Sequence, residues 1–240
     1  MLTDAQITQY HKDGFIVPNY RLPAETLASL SHDVDRFIGD DIERRQFVPT
    51  MFDYDERFID YAFNPDLLDM IEQLAGPDFA LWNMSLFGKP ARDGKKVPWH
   101  QDGEYWPIRP VATCTVWIAI DDATRENGCV RFIPGSQDFG LVDWEHLPYM
   151  LTEDVLAREV DVPLHAGDAT FHHSMTLHCS GPNTTPHRRR GWSLHYVSAD
   201  TRYIGTPEET ERIKNIGCLV GPEPTNGWPL IRGREFPGCV

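Results

Sequence analysis

The sequence of 240 residues has no run of 18 or more apolar residues, although hydrophobic residues make up 41% of it. A membrane-spanning helix needs about 20 predominantly apolar residues in succession, so a transmembrane protein is not expected. The N-terminal stretch MLTDAQITQYHKDGF also lacks the basic start and the apolar run of a secretory signal peptide. The predicted compartment is therefore the cytoplasm.

Basic residues are scarce as well, because 22 Lys and Arg stand against 36 Asp and Glu and give a formal net charge of −14. Nucleic acids and anionic membranes attract a basic protein face, so neither is an expected partner. The acidic residues are dispersed along the chain, which is typical of a solvated surface. A small anionic substrate remains compatible with this balance, since one arginine is enough to bind it.

The five cysteines are an odd number, and no CxxC pair occurs among them. Without a secretory signal, this pattern favours free thiols over a disulfide framework. Cys114 alternates with apolar residues in a strand-like run, which predicts packing in the core and no catalytic role.

Helical signals fill the first third of the chain. Thr3 is placed to cap a helix that Gly14 ends. Pro23 begins a second stretch with apolar residues at helical spacing, and a third helix is predicted from Pro65 to Ala75. These elements predict a helical N-terminal part over residues 1–78.

The period changes at residue 79, where short runs rich in β-branched and aromatic residues alternate with turn signals. The runs are FALWNMSLFGK, TCTVWIAIDDA, CVRFIPGS and WSLHYVSAD. Strands of this kind predict an antiparallel sandwich or barrel over about 79–200, and an α+β fold that is mainly β. Residues 137–162 are long for a plain loop, which suggests a cover over a pocket, and residues 201–240 are expected to wrap the body or act as a lid. The whole chain, 1–240, is predicted to be one domain.

The stretch VPWHQDGEYW holds His100 and Asp102 two positions apart, and alternate residues of a strand share a face. Imidazole and carboxylate groups suit a divalent transition metal. Two His and one carboxylate form the facial triad of non-haem Fe(II) oxygenases, which leaves coordination positions open. The HxD pair alone is too short to be specific.

A third ligand of the right type follows downstream, where His178 precedes a Gly-Pro-Asn turn. Arg189 comes eleven residues after His178 and leads into the next predicted strand. A guanidinium binds a carboxylate bidentately, so Arg189 is suited to anchor a dicarboxylate co-substrate such as 2-oxoglutarate.

Four segments that carry these residues resemble the phytanoyl-CoA dioxygenase (PhyH) family of Fe(II)/2-oxoglutarate-dependent oxygenases. They are KPARDGKKVPWHQDGEYWPIRP, VWIAIDDATRENGCVRFIPGSQ, GDATFHHSMTLHCSGPN and RRRGWSLHY, and the opening LTDAQITQYHKDGFIVPNY is similar too. The resemblance covers roughly residues 2–200. It is specific because the HxD, the distal His with its Ser-Gly-x-Asn, and the arginine occur together and in order.

The resemblance implies a double-stranded β-helix, that is, a cupin-like jelly roll, with the N-terminal helices packed on one sheet. It implies that His100, Asp102 and His178 bind Fe(II) and are the catalytic centre. The expected reaction is oxidation, most simply hydroxylation, of a substrate C–H bond with O2. In the same reaction 2-oxoglutarate is decarboxylated to succinate and CO2.

The same resemblance assigns the co-substrate contacts. Arg189 matches the residue that pairs with the distal carboxylate of 2-oxoglutarate. Lys89 and Trp117 match residues that line the co-substrate pocket.

Nearby residues of the same types are given other roles. His172 and His173 are expected to be structural or to support the ligands, one facing inward and one outward, and His195 to be a buried, hydrogen-bonded His. Arg188 and Arg190 would face away from Arg189 on a strand and are expected to be solvated.

The substrate is expected to be a small or medium metabolite. A CoA ester would favour a basic groove, and Lys95 and Lys96 are the only basic pair near the HxD apart from the arginine triplet. The predicted substrate contacts are Trp82, Glu104, Tyr105 and Trp106.

Two other functions fit a jelly roll with these residues. One is a cupin-like metal isomerase or dioxygenase that does not use 2-oxoglutarate and would not need Arg189. The other is a catalytically inactive jelly-roll binding protein, which the intact set of ligands and the arginine disfavour. The sequence does not determine the oligomeric state.

Overall fold

The computed structural model describes residues 1–41, 45–111, 113–206, 208, 228–236 and 239. Much of the predicted C-terminal wrap or lid, including residues 209–227, therefore lies outside the described residues. No helix in the described ranges is long and apolar enough to cross a membrane.

The N-terminal part is helical, and local signals set its bounds as predicted. Thr3 and Gln6 form a capping box at the start of helix α1, and Gly14 ends that helix with φ 80°. Asn64 caps the last of the N-terminal helices, whose first residue is Pro65. The elements are α1 (Asp4–Asp13), α2 (Ala24–Ile38), α3 (Met51–Tyr54), a 3₁₀ helix (Glu56–Phe63) and α4 (Pro65–Ala75).

The strands pair antiparallel throughout the described chain. They are β1 (Phe15–Ile16), β2 (Phe47–Val48), β3 (Phe79–Lys89), β4 (Val97–His100), β5 (Ile108–Arg109), β6 (Thr113–Ala119), β7 (Val130–Phe132), β8 (Val160–Val162), β9 (Ala169–His173), β10 (His178–Ser180), β11 (Arg189–Ser198), β12 (Arg202–Tyr203) and β13 (Leu230–Arg232).

Two sheets form the core. The larger one has seven strands in the order β1–β9–β6–β11–β3–β13, with β2 also paired to β3, and the smaller one has the order β4–β10–β7–β8. A short ribbon joins β12 to β5. These antiparallel sheets confirm the predicted α+β, mainly β fold with a jelly-roll core.

The helices cover one face of the larger sheet. Leu30 and Val34 of α2 and Ile71 of α4 belong to the same buried cluster as Phe171 and Leu194 from the strands. Burying apolar side chains of this kind stabilises the fold by roughly 1.5–3 kcal/mol for each large side chain. The prediction that the N-terminal helices pack on one sheet is confirmed.

Strict alternation divides β11 between the two faces of the larger sheet. Trp192 and Leu194 point into the helix-facing cluster. Arg189, Ser193 and His195 point the other way and line a cavity on the side of the smaller sheet. A site can therefore form on the face of the larger sheet that the helices do not cover.

Residues 137–162 do not cover that cavity, which corrects the expectation from their length. They hold a 3₁₀ helix (Ser136–Phe139), α5 (Leu147–Met150) and α6 (Glu153–Leu156) and end in β8. Val142 and Leu147 pack against Ile133 and Leu177, and no residue of 137–162 is among the described residues that line the cavity. Part of this segment packs beside the small sheet instead, whereas Trp144 and Tyr149 are exposed.

Candidate active site

The three predicted metal ligands meet where β4 and β10 pair. His100 ends β4 and lies opposite His178, the first residue of β10. Asp102 does not continue the strand, as the alternation argument assumed, but begins a 3₁₀ helix (Asp102–Tyr105) that turns its carboxylate toward both imidazoles. One ligand atom from each of the three lies within 4.8 Å of the others.

Backbone carbonyls fix the orientation of both imidazole rings. His100 Nδ1 lies 2.9 Å from the Pro98 carbonyl oxygen, and His178 Nδ1 lies 2.9 Å from that of Thr176. A carbonyl only accepts hydrogen bonds, so each Nδ1 carries a proton and Nε2 is the ring nitrogen that faces the site. These two Nε2 atoms lie 3.6 and 3.5 Å from Asp102 Oδ1. Two imidazole nitrogens and a carboxylate oxygen aimed at one point fit a divalent transition metal.

The second carboxylate oxygen of Asp102 is held by the larger sheet. Thr115 Oγ1 donates to Asp102 Oδ2 over 3.2 Å and lies 3.0 Å from His195 Nδ1. A hydroxyl has one proton, so His195 Nδ1–H must donate to Thr115 while Thr115 donates to Asp102. His172 Nε2 lies 3.4 Å from the same Oδ2. Asp102 Oδ1 is thereby left for the metal.

Asp102 is ionised at this position, which is the state that binds a metal. Burial by itself would raise the pKa of its carboxyl, but the imidazoles of His178, His100 and His172 hold that pKa well below the usual range. Burial also lowers the pKa of His172 and that of His195 to about 4, so both rings are neutral.

Gln101 anchors the turn that carries the ligands, a role the sequence did not reveal. Its side chain points away from the two ligands beside it, and its amide nitrogen donates to the Gly140 carbonyl (2.8 Å) and the Met175 carbonyl (2.7 Å). Its amide oxygen accepts from the Val142 N–H over 2.8 Å. All of these bonds are buried or partly buried, so the middle residue of the HxD ties His100 and Asp102 to the body of the protein.

Arg189 lies at another end of the same cavity, with only 2% of its surface exposed. Its Nη2 donates to the Gly128 carbonyl (2.6 Å) and its Nη1 to the Phe87 carbonyl (3.3 Å), but its buried Nε has no hydrogen-bond partner. No carboxylate of the described chain forms an ion pair with it, and burial lowers its pKa to about 10. An unpaired buried cation is costly, so this position calls for an anionic ligand.

Lys89 adds a second buried cation, because it lies directly opposite Arg189 in the β3–β11 pair. Its ammonium donates to the Lys95 carbonyl over 2.5 Å, and among the described residues it pairs with no carboxylate. Burial lowers the pKa of Lys89 from 10.5 to about 7, and the charge of Arg189 adds to the shift.

Trp117 closes the wall beside this cation pair. The Arg189 guanidinium lies 5.3 Å from the centre of the Trp117 ring, within the range of a cation–π contact. The ring fits because Gly191 lies beneath it, where an added Cβ would come within 1.9 Å of a ring carbon. Arg189, Lys89 and Trp117 are thus gathered at one end of the cavity, as the sequence predicted.

The flanking arginines point away from the cavity, as alternation predicts, but the expectation that both are solvated was wrong for Arg190. Its side chain is 5% exposed and binds Asp121 (2.7 Å) and Asp35 of α2 (2.9 Å). The helix-covered face of the sheet is an interior surface, so a charged residue there needs partners. Arg188 remains half exposed and pairs with Asp35.

A single cavity of about 420 Å³ joins the metal ligands to Arg189. The predicted substrate contacts Trp82, Tyr105 and Trp106 line it. Glu104 lies in the same turn but not in the lining, so its role stays a prediction. Of the two adjacent histidines, His172 faces this cavity, whereas His173 faces away and accepts from the Met175 N–H.

A β-bulge in β3 brings one more residue into the cavity wall. Asn83 lies opposite His195, but Leu81 lies opposite Tyr196, so Trp82 is the extra residue. Both Trp82 and Asn83 consequently line the cavity, although neighbours on a regular strand would face opposite sides. The sequence analysis missed Asn83, although alternation along β3 from Lys89 would have placed it on the cavity face.

Comparisons with known proteins agree with this geometry. The human peroxisomal phytanoyl-CoA dioxygenase is 26% identical over 256 residues, which cover 90% of this chain and 75% of that one. The L-proline trans-4-hydroxylase of Streptomyces griseoviridis is 30% identical over 166 residues, covering 57% and 61% of the two chains. The chain spans 52% to 75% of the length of four mammalian phytanoyl-CoA dioxygenases.

Among solved structures, the epimerase SnoN in complex with Fe3+, α-ketoglutarate and nogalamycin RO superimposes with a TM-score of 0.77. It is 24% identical and the match covers 98% of this chain and 95% of that one, which shows a shared fold. The sequence profile of the PhyH family matches residues 10–191, most of the chain. The chain therefore belongs to the phytanoyl-CoA dioxygenase (PhyH) family of Fe(II)/2-oxoglutarate-dependent oxygenases.

Proposed function

We propose that this protein hydroxylates a C–H bond of a small or medium metabolite, with conversion of 2-oxoglutarate and O2 to succinate and CO2. One observation carries the proposal. Three metal-binding side chains converge at one end of a cavity, and an unpaired buried guanidinium lies at another end of it. A metal at the first position and a dicarboxylate between the two would satisfy both. The proposal takes residues 1–240 as one dioxygenase domain.

His100, Asp102 and His178 would hold the iron through two Nε2 atoms and Oδ1. Iron(II) bound there supplies the oxidising chemistry, with O2 and 2-oxoglutarate as co-substrates. The three ligand atoms are held in place without the metal. In each ligand side chain, the nitrogen or oxygen that does not face the metal position forms a hydrogen bond with the protein. Three ligands on one side leave the remaining positions for the co-substrates.

Arg189 would bind the far carboxylate of 2-oxoglutarate through its unpaired Nε and the adjacent guanidinium nitrogen. Lys89 would add a second positive charge, and Trp117 would hold the guanidinium in plane. The co-substrate supplies the negative charge that both buried cations lack, so binding it relieves their desolvation cost. This pairing argues against a cupin-like enzyme that does not use 2-oxoglutarate.

The substrate would approach past Trp82, Tyr105 and Trp106. By their names, the relatives act on different small molecules, phytanoyl-CoA in one case and L-proline in another. For this chain we favour a metabolite without CoA, because Lys95 and Lys96 are the only lysines or arginines among the described lining residues besides Lys89 and Arg189.

Succinate release in a metabolite screen tests the proposal. Purified protein is incubated with iron(II), 2-oxoglutarate and O2 in the presence of candidate substrates, and products are identified by mass spectrometry. The expected result is iron-dependent succinate formation. It should be coupled to a product about 16 mass units heavier than the substrate, since hydroxylation adds an oxygen atom. Tight binding of a ligand without iron-dependent loss of 2-oxoglutarate would instead support the inactive jelly roll.

A further inference from the structure

The cavity extends sideways from the metal ligands across the inner face of β3. Asn83 lies opposite His195 and Ser85 lies opposite Ser193 in the β3–β11 register. Beyond them lie residues from the start of α3 and from the segment that precedes β13. We define this region as the side chamber, lined by Thr50, Phe52, Trp82, Asn83, Ser85, Trp106 and Trp228.

Charge is distributed unevenly within the cavity. Among its described lining residues, the lysines and the arginine are Lys89, Lys95, Lys96 and Arg189, and the carboxylate is Asp102. Lys89 lies opposite Arg189 and donates to the Lys95 carbonyl, so the backbone of Lys95 also lies at the Arg189 end. The described lining of the side chamber has no Asp, Glu, Lys or Arg. A charged group bound there would lose its hydration without gaining a counter-ion, which is unfavourable.

The aromatic side chains form a wall and not a cage. Trp82 and Trp228 lie against each other, with ring centroids 4.6 Å apart and planes inclined by 32°. Trp106 packs beside Trp82 at 6.4 Å. Rings this close leave no gap for an ammonium group between Trp82 and its neighbours, so these rings do not enclose a cation. The wall presents a broad apolar surface, which suits a flat ring or a hydrocarbon segment.

Asn83 supplies a directed polar group within this apolar surface. Its Oδ1 accepts from the Thr50 N–H over 3.1 Å and lies 3.5 Å from Ser85 Oγ. These contacts fix the amide orientation, and among the described residues Nδ2 has no acceptor. Asn83 Nδ2 is therefore a donor on the chamber wall that an oxygen or nitrogen acceptor of a ligand can satisfy.

We propose that the part of the substrate beside the iron is uncharged, has a flat apolar surface that packs on Trp82, and carries a neutral acceptor that binds Asn83 Nδ2. A ketone, amide, ether or hydroxyl oxygen meets that requirement. A substrate whose ammonium or carboxylate group would have to lie in the side chamber is excluded, because that group would have no partner there. This inference rests on the proposed function of the same cavity.

Matched probes of one shape test the proposal on the holoenzyme. The protein is loaded with iron(II) and 2-oxoglutarate under anaerobic conditions, where no turnover occurs, and calorimetry measures the Kd of three naphthalene derivatives. These are 2-acetylnaphthalene (neutral, with an acceptor oxygen), 2-naphthoate (an anion) and 2-naphthylmethylammonium (a cation). The neutral ketone should bind about 10- to 100-fold more tightly than either ion, which corresponds to about 1.4–2.8 kcal/mol, because a charge in the side chamber has no partner. Equal or tighter binding of an ion, or no binding of any probe, overturns the inference.

A charge reversal at Asn83 gives a second, independent test. Asn83→Asp keeps the oxygen that accepts from the Thr50 N–H and replaces the donor by a carboxylate. The variant should bind the naphthylmethylammonium probe about 10-fold more tightly than the native protein does, and the ketone more weakly. The control Asn19→Asp makes the same change at an exposed position outside the cavity and should leave the three Kd values unchanged. An unchanged order of affinities in Asn83→Asp would count against the assigned role of Asn83.

The two proposals fail in different ways. The binding of 2-oxoglutarate to each iron-loaded protein is measured before any probe is added. Failure of 2-oxoglutarate to bind would refute the oxygenase function itself, whereas normal 2-oxoglutarate binding with the wrong probe preference refutes only the uncharged substrate.

Discussion

Replacing Thr115 by valine should weaken iron binding while leaving the fold intact. Threonine and valine have nearly the same shape, so the change removes one hydroxyl from the inner face of β6. That hydroxyl donates to Asp102 Oδ2 (3.2 Å) and accepts from His195 Nδ1 (3.0 Å). The variant therefore frees the carboxylate to rotate and leaves the buried His195 N–H without an acceptor.

The expected loss follows from these two contacts. A hydrogen bond to a charged group contributes about 1.5–3 kcal/mol. Loss of a residue that orients a metal ligand typically lowers metal affinity about 10- to 100-fold, which corresponds to about 1.4–2.8 kcal/mol. The two free energies agree, so we expect the Kd for iron(II) to rise about 10- to 100-fold.

Thr113 provides a matched control on the same strand and the same face. It is buried like Thr115, but its Oγ1 has no hydrogen-bond partner within the described structure. Thr113→Val makes the same chemical change without breaking a hydrogen bond, and its iron affinity should stay near that of the native protein.

Anaerobic calorimetric titration with iron(II) measures both variants, and thermal unfolding of the metal-free proteins checks that each is folded. The reasoning is refuted by Thr115→Val protein that binds iron as tightly as the native protein. It is equally refuted by a loss of affinity in Thr113→Val as large as that in Thr115→Val.

Three further predictions concern the charged groups of the cavity. Asp102→Ala should abolish iron-dependent succinate formation with no change in the circular dichroism spectrum. Full activity of this variant would contradict the role of Asp102 as a ligand. Arg189→Met should raise the Kd for 2-oxoglutarate about 100-fold or more, because an ion pair in a buried site is lost, whereas the half-exposed Arg188→Met should not. An unchanged Kd in Arg189→Met would show that another group binds the co-substrate. The pKa of Lys89 falls from 10.5 in the unfolded chain to about 7 in the folded protein. Between these two pH values Lys89 is protonated in the unfolded state and largely deprotonated in the folded state. The free energy of unfolding of the metal-free protein therefore rises with pH in this range. Lys89→Met should reduce the increase in unfolding free energy between pH 6 and pH 9, measured by urea denaturation, and the exposed Lys12→Met should leave it as in the native protein.

The sequence predicted the elements whose signals are local. Thr3 and Gly14 mark the ends of α1, and Pro65 and Gly76 mark those of α4, because capping and helix-breaking act within one turn of backbone. The apolar run at 79–89 became β3 with the same bounds. These signals need no knowledge of the rest of the chain.

The sequence also identified the candidate ligands. Two His, one Asp and a following Arg in this order have the chemistry of a metal site with a carboxylate-binding residue. They are His100, Asp102, His178 and Arg189. What it could not supply was the set of contacts around them. Thr115 and His195 lie 80 residues apart in sequence and meet only because β6 and β11 are neighbours in the sheet.

The remaining differences have the same origin in long-range pairing. Alternation correctly turned Arg190 away from the cavity, but α2 covers that side of the sheet, so the arginine is buried and not solvated. Trp82 and Asn83 share the cavity wall only because a bulge adds one residue to β3 between the partners of His195 and Tyr196. The sequence by itself thus determined the local elements and the chemistry of the candidate ligands. Only the tertiary structure decided which side chains hold those ligands and what lines the side chamber, because strand pairing and helix packing join residues that no local pattern connects.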